Sequence, residues 1–144
     1  MIASFKNNFI KGSYFPPGDK SISHRIIILG SQAVGRSIVS NLLEGEDVMN
    51  TIKVMRDLGA NIKKKDGKFI IFGLPPGTLF QPKKKLDFGN SGTGIRLIAG
   101  LVSSNNINTI LVGDKSLSNR PMKRVTEHLS KIGSNIKLKK NLYP

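Results

Sequence analysis

The sequence predicts an α/β fold built from a repeated α-β-α-β-β unit, with helices packed on small mixed sheets. Three observations carry this. Asp47 to Gly59 places Val48, Ile52, Met55 and Leu58 at helical spacing, and Pro121 to Gly133 does the same with Met122, Val125, Leu129 and Ile132. Each run stops at a glycine and enters the same strand start, Gly59-Ala60-Asn61-Ile62-Lys63 and Gly133-Ser134-Asn135-Ile136-Lys137. A chain of 144 residues with 38% hydrophobic and 6% aromatic content can bury one sizeable core.

In the first unit an apolar helix is expected from about Ser23 to Val34, leading through Gly35 into a strand from Ser37 to Leu43. The amphipathic helix follows, with Asp47 as N-cap and Gly59 as stop. A strand from Asn61 to Lys65 then turns at Asp66-Gly67 into another, Lys68 to Phe72, because Asp-Gly between such runs favours a tight hairpin. Leu74-Pro75-Pro76-Gly77 closes the unit. The second unit offers a helix from about Ser91 to Val102 and a strand from Asn108 to Val112. Pro121, whose fixed φ suits a first helical turn, opens the next helix, and a strand from Asn135 to Lys139 follows it. A last strand is expected to begin at Leu142-Tyr143-Pro144. The expected division is an N-terminal segment 1–15, a first repeat 16–77, and a second repeat 78–144 that lacks its final hairpin.

The absence of cysteine excludes disulfides and thiolate sites, and two isolated histidines, His24 and His128, predict no metal. The first eight residues hold no apolar core of signal-peptide length, and no run approaches the ~18 apolar residues of a membrane span. A cytoplasmic address without a membrane partner is therefore expected. Lys and Arg number 23 against 9 Asp and Glu, a net charge of +14 that points to an anionic partner. One reading is a non-catalytic basic module that binds nucleic acid. Against it, the runs Lys63 to Lys65, Lys83 to Lys85 and Lys137 to Lys140 lie beside turns, where a solvated face accounts for them. No RNP-type aromatic pattern, helix-turn-helix or zinc finger accompanies them. A small anionic substrate explains a basic cleft as well.

Three stretches favour that second account. Gly18-Asp19-Lys20-Ser21-Ile22-Ser23-His24-Arg25 returns as Gly113-Asp114-Lys115-Ser116-Leu117-Ser118-Asn119-Arg120, identical at six of eight positions. Between them, Gly89-Asn90-Ser91-Gly92-Thr93-Gly94-Ile95-Arg96 runs into a helix. A helix N-terminus presents unpaired N–H groups and about half a positive charge, which favours an anion. Lys20 and Arg25 flank the hydroxyls of Ser21 and Ser23, a grouping suited to carboxylate or phosphate. Gly92 and Gly94 permit close backbone approach, Asn90, Ser91 and Thr93 add polar groups, and Arg120 adds a fork of donors. A nucleotide P-loop is excluded, since Ile95-Arg96 stands where Lys-Ser or Lys-Thr would follow the last glycine. His24 reads as a helix residue among the core neighbours Ile26 to Leu29 rather than a general base, and His128 as a surface residue. Glu44, Glu46 and Asp47 read as caps of the helix they precede.

Pro17 to Arg25, Leu42-Leu43-Glu44-Gly45-Glu46-Asp47, Leu86 to Arg96 and Gly113 to Met122 together resemble the 5-enolpyruvylshikimate-3-phosphate synthase family, with wording closer to its class II bacterial branch. The resemblance covers nearly the whole chain from Gly12 onward. It implies part of an enolpyruvyl transferase-like, inside-out α/β barrel domain. Members hold six such repeats in two domains, so it also implies an incomplete enzyme whose second domain lies outside this chain, with segment 1–15 approaching that domain. The family implies transfer of the enolpyruvyl group from phosphoenolpyruvate to the 5-hydroxyl of shikimate 3-phosphate, on the way to chorismate and aromatic amino acids. It implies no metal or organic cofactor, and a monomeric full-length enzyme.

By motif position, the resemblance makes Lys20 the catalytic residue, between the two substrates. Ser21 and Arg25 hold shikimate 3-phosphate, Gly92 offers its N–H to phosphoenolpyruvate, and Arg120 clamps that substrate's acidic groups. Asn90 and Thr93 shape the pocket and Arg96 supports it. Gly94 stands where many members carry a bulkier residue. In the family, adding a side chain at the position of Gly92 is linked to glyphosate tolerance, so the resemblance predicts a site open to that inhibitor.

Overall fold

A computed structural model describes Phe9 and residues 11–138. Both copies of the repeated phrase begin a helix. The Asp19 carboxylate accepts the Ile22 N–H at 2.7 Å and the Asp114 carboxylate accepts the Leu117 N–H at 2.6 Å, each filling one orphan donor of a first turn. Helix α1, Lys20–Gly30, therefore starts three residues before the expected Ser23. It ends at Gly30 rather than Val34, because Ser31 folds back on the Ile27 carbonyl and Val34 bridges to Gly73. The second copy forms only α4, Lys115–Ser118, since Pro121 follows and the residue before a proline is steered out of helical backbone.

After α1 come β1, Gly35–Val39, α2, Glu46–Asp57, and the hairpin β2, Asn61–Lys65, with β3, Lys68–Gly73. The hairpin turns where Asp66 and Gly67 both take positive φ, as Asp-Gly predicts. The order β1-β3-β2 is antiparallel throughout, with Ser37 and Ile62 both opposite Ile71. Period-2 alternation turns Phe69 and Ile71 to the core and leaves Lys63 and Lys65 outside. Strand β1 stops short of the expected Leu43. The chain turns at Asn41, φ +53, and the Leu43 N–H then donates to the Ser23 hydroxyl at 3.0 Å.

The second unit starts with a strand that its two-residue length concealed, β4, Leu86–Asp87. Helix α3, Gly92–Ser103, lies between it and β5, Leu111–Val112, and the two strands pair in parallel. The expected strand from Asn108 is thus shortened; the Asn108 N–H goes to the Gln81 side chain at 2.9 Å instead. Helix α5, Lys123–Lys131, is capped at Met122 and ends before Gly133. Its face is less covered than expected, with Ile132 78% exposed. Residues 135–138 form no strand, since among the described residues no neighbouring strand is there to pair with them. Lys139 and the expected strand at Leu142 to Pro144 lie outside the described residues.

One core joins the two units: Ile27, Ile28, Ile52, Met55 and Leu58 of the first pack with Leu86, Phe88, Ile95 and Ile98 of the second. In α1 only Ile27 and Ile28 of the expected core run are buried; Leu29 is 66% exposed. Lys20 faces Asp47 and, one turn on, His24 faces Thr51; both pairs lie 27 residues apart, so α1 and α2 run side by side in the same direction. Among the described residues no helix is long and apolar enough to cross a membrane. Replacing Asp19 by Ala removes the α1 cap and is expected to destabilise the chain by about 1 kcal/mol in urea unfolding, while Asp19→Asn retains most of the stability.

Candidate functional site

The site is the edge at which α1, α2 and α3 all begin. Parallel pairing of β4 and β5 delivers Gly89-Asn90 and Gly113-Asp114 next to one another. The Phe88 N–H donates to Val112 O at 3.0 Å and the Asp114 N–H to Gly89 O at 2.8 Å. Gly89 turns the chain at φ +53, and the Ser91 hydroxyl caps α3 by accepting the Gly94 N–H at 3.2 Å. Side chains then lace the edge together. The Asn90 amide donates to Asp114 at 2.8 Å and accepts from the Arg120 guanidinium. Arg96 donates to Gly92 O at 3.0 Å and to Pro121 O at 3.3 Å. Asn50 of α2 donates to Phe88 O at 3.3 Å, tying the first unit to the loop.

Lys20 stands at the start of α1, its ammonium 3.1 Å from Asp47 and half exposed. Asp47 therefore does not cap α2, as its position suggested; Gly45 holds the cap place and the carboxylate turns to the lysine. Glu44 likewise pairs with Lys64, at 2.6 Å, leaving Glu46 and Asp47 in the first turn of α2, where a negative charge suits the helix end. Ser21 is exposed beside Lys20, and Arg25 lies one turn on, donating to Ser21 O at 3.0 Å. Of the second group, Asn90, Gly92, Arg96 and Arg120 form one connected cluster. Thr93, half-buried, follows Gly92 in the first turn of α3. The Gly92 N–H points to Asn90 O at 2.9 Å, a tight turn in which that donor is already engaged. Among the described residues no group of three or more His, Cys, Asp or Glu is arranged to hold a metal.

Electrostatics follow from these neighbours. The Asp114 carboxyl is held below its usual range, first by the Leu117 N–H and then by Asn90 and Arg120. His24 is fully buried, its Nδ1 2.8 Å from Thr51 Oγ1. The Thr51 hydroxyl also reaches Asp47 O at 3.3 Å, so the tautomer decides which group donates across the 2.8 Å contact, and the second ring nitrogen is Nε2. That atom is buried without a hydrogen-bond partner among the described residues. Protonation would bury an unpaired N–H, and desolvation accordingly lowers the His24 pKa, aided by Lys20 and Arg25 and opposed by Asp47. The sequence pointed to neither Thr51, Asp47 nor Asp114 in these roles. The readable signal was spacing: His24 follows Lys20 by four residues and Thr51 follows Asp47 by four, one polar side chain interrupting each apolar helix face.

Two predictions follow. With the folded pKa lowered, the unfolded chain takes up the His24 proton first as pH falls. The contribution is whole above the ordinary imidazole value of about 6.5, is lost as pH descends toward the lower folded value, and is level below it. Urea midpoints across pH 4 to 8 are expected to show this slope in the wild type relative to His24→Asn. The second concerns two neighbouring glycines. A methyl on Gly94 would lie 2.6 Å from both Ser91 Oγ and Thr51 Oγ1, short side chains held by their own bonds. On Gly92 it would meet the ends of Arg120 and Arg96, at 2.8 and 3.0 Å, which can swing away. Gly94→Ala is expected to cost about 1–3 kcal/mol in thermal unfolding, whereas Gly92→Ala stays close to wild type and displaces the Arg120 guanidinium.

The chain matches the family model described as EPSP synthase (3-phosphoshikimate 1-carboxyvinyltransferase) over residues 6–144. A 3-phosphoshikimate 1-carboxyvinyltransferase of Novosphingobium aromaticivorans is 51% identical over 129 residues, covering 89% of this chain and 29% of that protein. That of Paramagnetospirillum magneticum is 49% identical over 126 residues, covering 87% and 28%. The solved EPSP synthase from Acinetobacter baumannii superposes with a TM-score of 0.86 at 39% identity, over 91% of this chain and 30% of that one. The chain thus spans under a third of the relatives' length. A nucleic-acid module is not favoured by these likenesses: the chain is a member of the EPSP synthase family.

Proposed function

We propose that this chain supplies one side of the active site of an enzyme that transfers the enolpyruvyl group of phosphoenolpyruvate to the 5-hydroxyl of shikimate 3-phosphate, releasing phosphate. The observation that carries the reading is the single edge shared by Lys20 at the start of α1 and by Asn90, Gly92 and Arg120 around the start of α3. In this reading residues 16–77 and 78–144 belong to two repeats of one domain, and a second domain completes the enzyme. The enzyme works in the cytoplasm.

Both substrates are polyanions, and the edge offers helix ends, Lys20, Arg25 and Arg120 to meet them. Ser21 and Arg25 hold shikimate 3-phosphate, with Lys20 between the substrates. Arg120, braced by Asn90, clamps the acidic groups of phosphoenolpyruvate. Thr93 and Arg96 complete that wall. The Gly92 N–H serves phosphoenolpyruvate once it leaves Asn90 O. As the 5-hydroxyl attacks C2 its proton is lost and C3 gains one, giving a tetrahedral intermediate; loss of a C3 proton with expulsion of phosphate restores the C2–C3 double bond, now as an enol ether. Fixed cations stabilise the charge that develops, and removal of one costs about 3 kcal/mol.

Calorimetric titration of the chain with shikimate 3-phosphate, alone and with phosphoenolpyruvate, tests this. Saturable binding that Lys20→Ala with Arg25→Ala abolishes is the expected result. No binding by a chain shown to be folded would overturn the reading of this edge as a formed half-site and would mean that these residues do not hold the substrate without the rest of the enzyme.

A further inference from the structure

Helices α1 and α2 lie against each other and both give apolar side chains to the core, Ile27 and Ile28 from one and Ile52 and Met55 from the other, and the hydrophobic effect that draws them together is non-directional. Two polar rungs cross that interface. The outer is Lys20 to Asp47 at 3.1 Å, half exposed; the inner, one turn deeper, is His24 to Thr51 at 2.8 Å, with both residues fully buried. An exposed ion pair between a long lysine and a carboxylate fixes little by itself. A buried hydrogen bond is directional, and sliding one helix along the other would leave the His24 Nδ1 unpaired away from water. The rung is wedged from a third side, since a methyl on Gly94 would lie 2.6 Å from Thr51 Oγ1.

We propose that His24 and Thr51 are positioning residues: their buried bond sets the register of α1 against α2 and so holds the Lys20 ammonium on Asp47 at the edge of the site. The lysine stands one turn above His24 and the carboxylate one turn above Thr51, so a shift of the inner rung moves the outer one with it. Gly94 belongs to the same device, because its bare Cα lets α3 close on the Thr51 hydroxyl. The role of Lys20 in substrate binding rests on the function proposed above; the register itself does not.

The test separates the two. The ε-methylene NMR resonance of Lys20 reports the neighbouring carboxylate, and Asp47→Asn gives its shift when that charge is gone. Thr51→Val removes the hydroxyl at nearly constant volume, and His24→Leu breaks the bond from the other side. Each folded variant is expected to move the Lys20 resonance most of the way to the Asp47→Asn position, while Thr51→Ser and His24→Asn, which keep a partner, leave it near wild type. An unmoved resonance in folded Thr51→Val or His24→Leu would overturn the proposal. Affinity for shikimate 3-phosphate is the second readout. Thr51→Val is expected to weaken it roughly tenfold or more, with no further loss when added to Lys20→Ala. Additive losses would also overturn it. A wild-type chain that binds no shikimate 3-phosphate refutes the substrate reading alone, and the resonance still decides the register.

Discussion

Three helices starting at one edge place three positive helix ends together, an arrangement that repels itself unless something negative is near. Parallel packing of α1 on α2 creates this constraint, and much of the local structure answers it. Asp19 caps α1, Glu46 and Asp47 sit in the first turn of α2, and Asp114 caps α4 beside the start of α3. These carboxylates neutralise part of the field, with Asp47 on Lys20 and Asp114 near Arg120. Under the function proposed above, a dianionic substrate would meet this edge of helix ends and guanidinium groups.

The two kinds of repetition in the chain do different jobs. The recurring helix, glycine and strand start mark the architecture, for α2 and α5 occupy corresponding places. The recurring eight-residue phrase does not, since its first copy opens the first helix of a unit and its second follows the strand β5. What the phrase preserves is a local solution, an aspartate accepting the N–H three residues on, placed wherever the edge needs a helix start. The loop corresponding to Gly18 to Arg25 in the second unit is Gly89 to Arg96, capped by Ser91 instead.

The elements whose signal is periodic could be read from the sequence nearly residue for residue: the strand Asn61–Lys65, the Asp66-Gly67 turn, and the helices near Asp47 and Ser91. What escaped depends on distant partners. Asp47 stands where a cap belongs, and only the tertiary placement of Lys20 turns it aside. Strand β4 is two residues long and exists because β5 lies next to it. Ile132 has the spacing of a core residue but meets no covering element among the described residues. The site showed the same split. Lys20, Asn90, Gly92 and Arg120 were legible as anion-seeking groups in glycine-rich or capped turns, whereas Thr51 carried no local mark beyond being polar on an apolar face.

The core shared by the two units governs how the chain comes apart. In stacked solenoids each repeat contributes its own increment of stability and opens almost independently. Here Phe88 and Ile98 of one unit share a single core with Ile27 and Ile52 of the other, so opening either unit exposes part of the interior of both. The duplication is visible as sequence and as architecture, while the shared core makes one cooperative unit of α1, α2 and α3 the expected pattern of amide exchange.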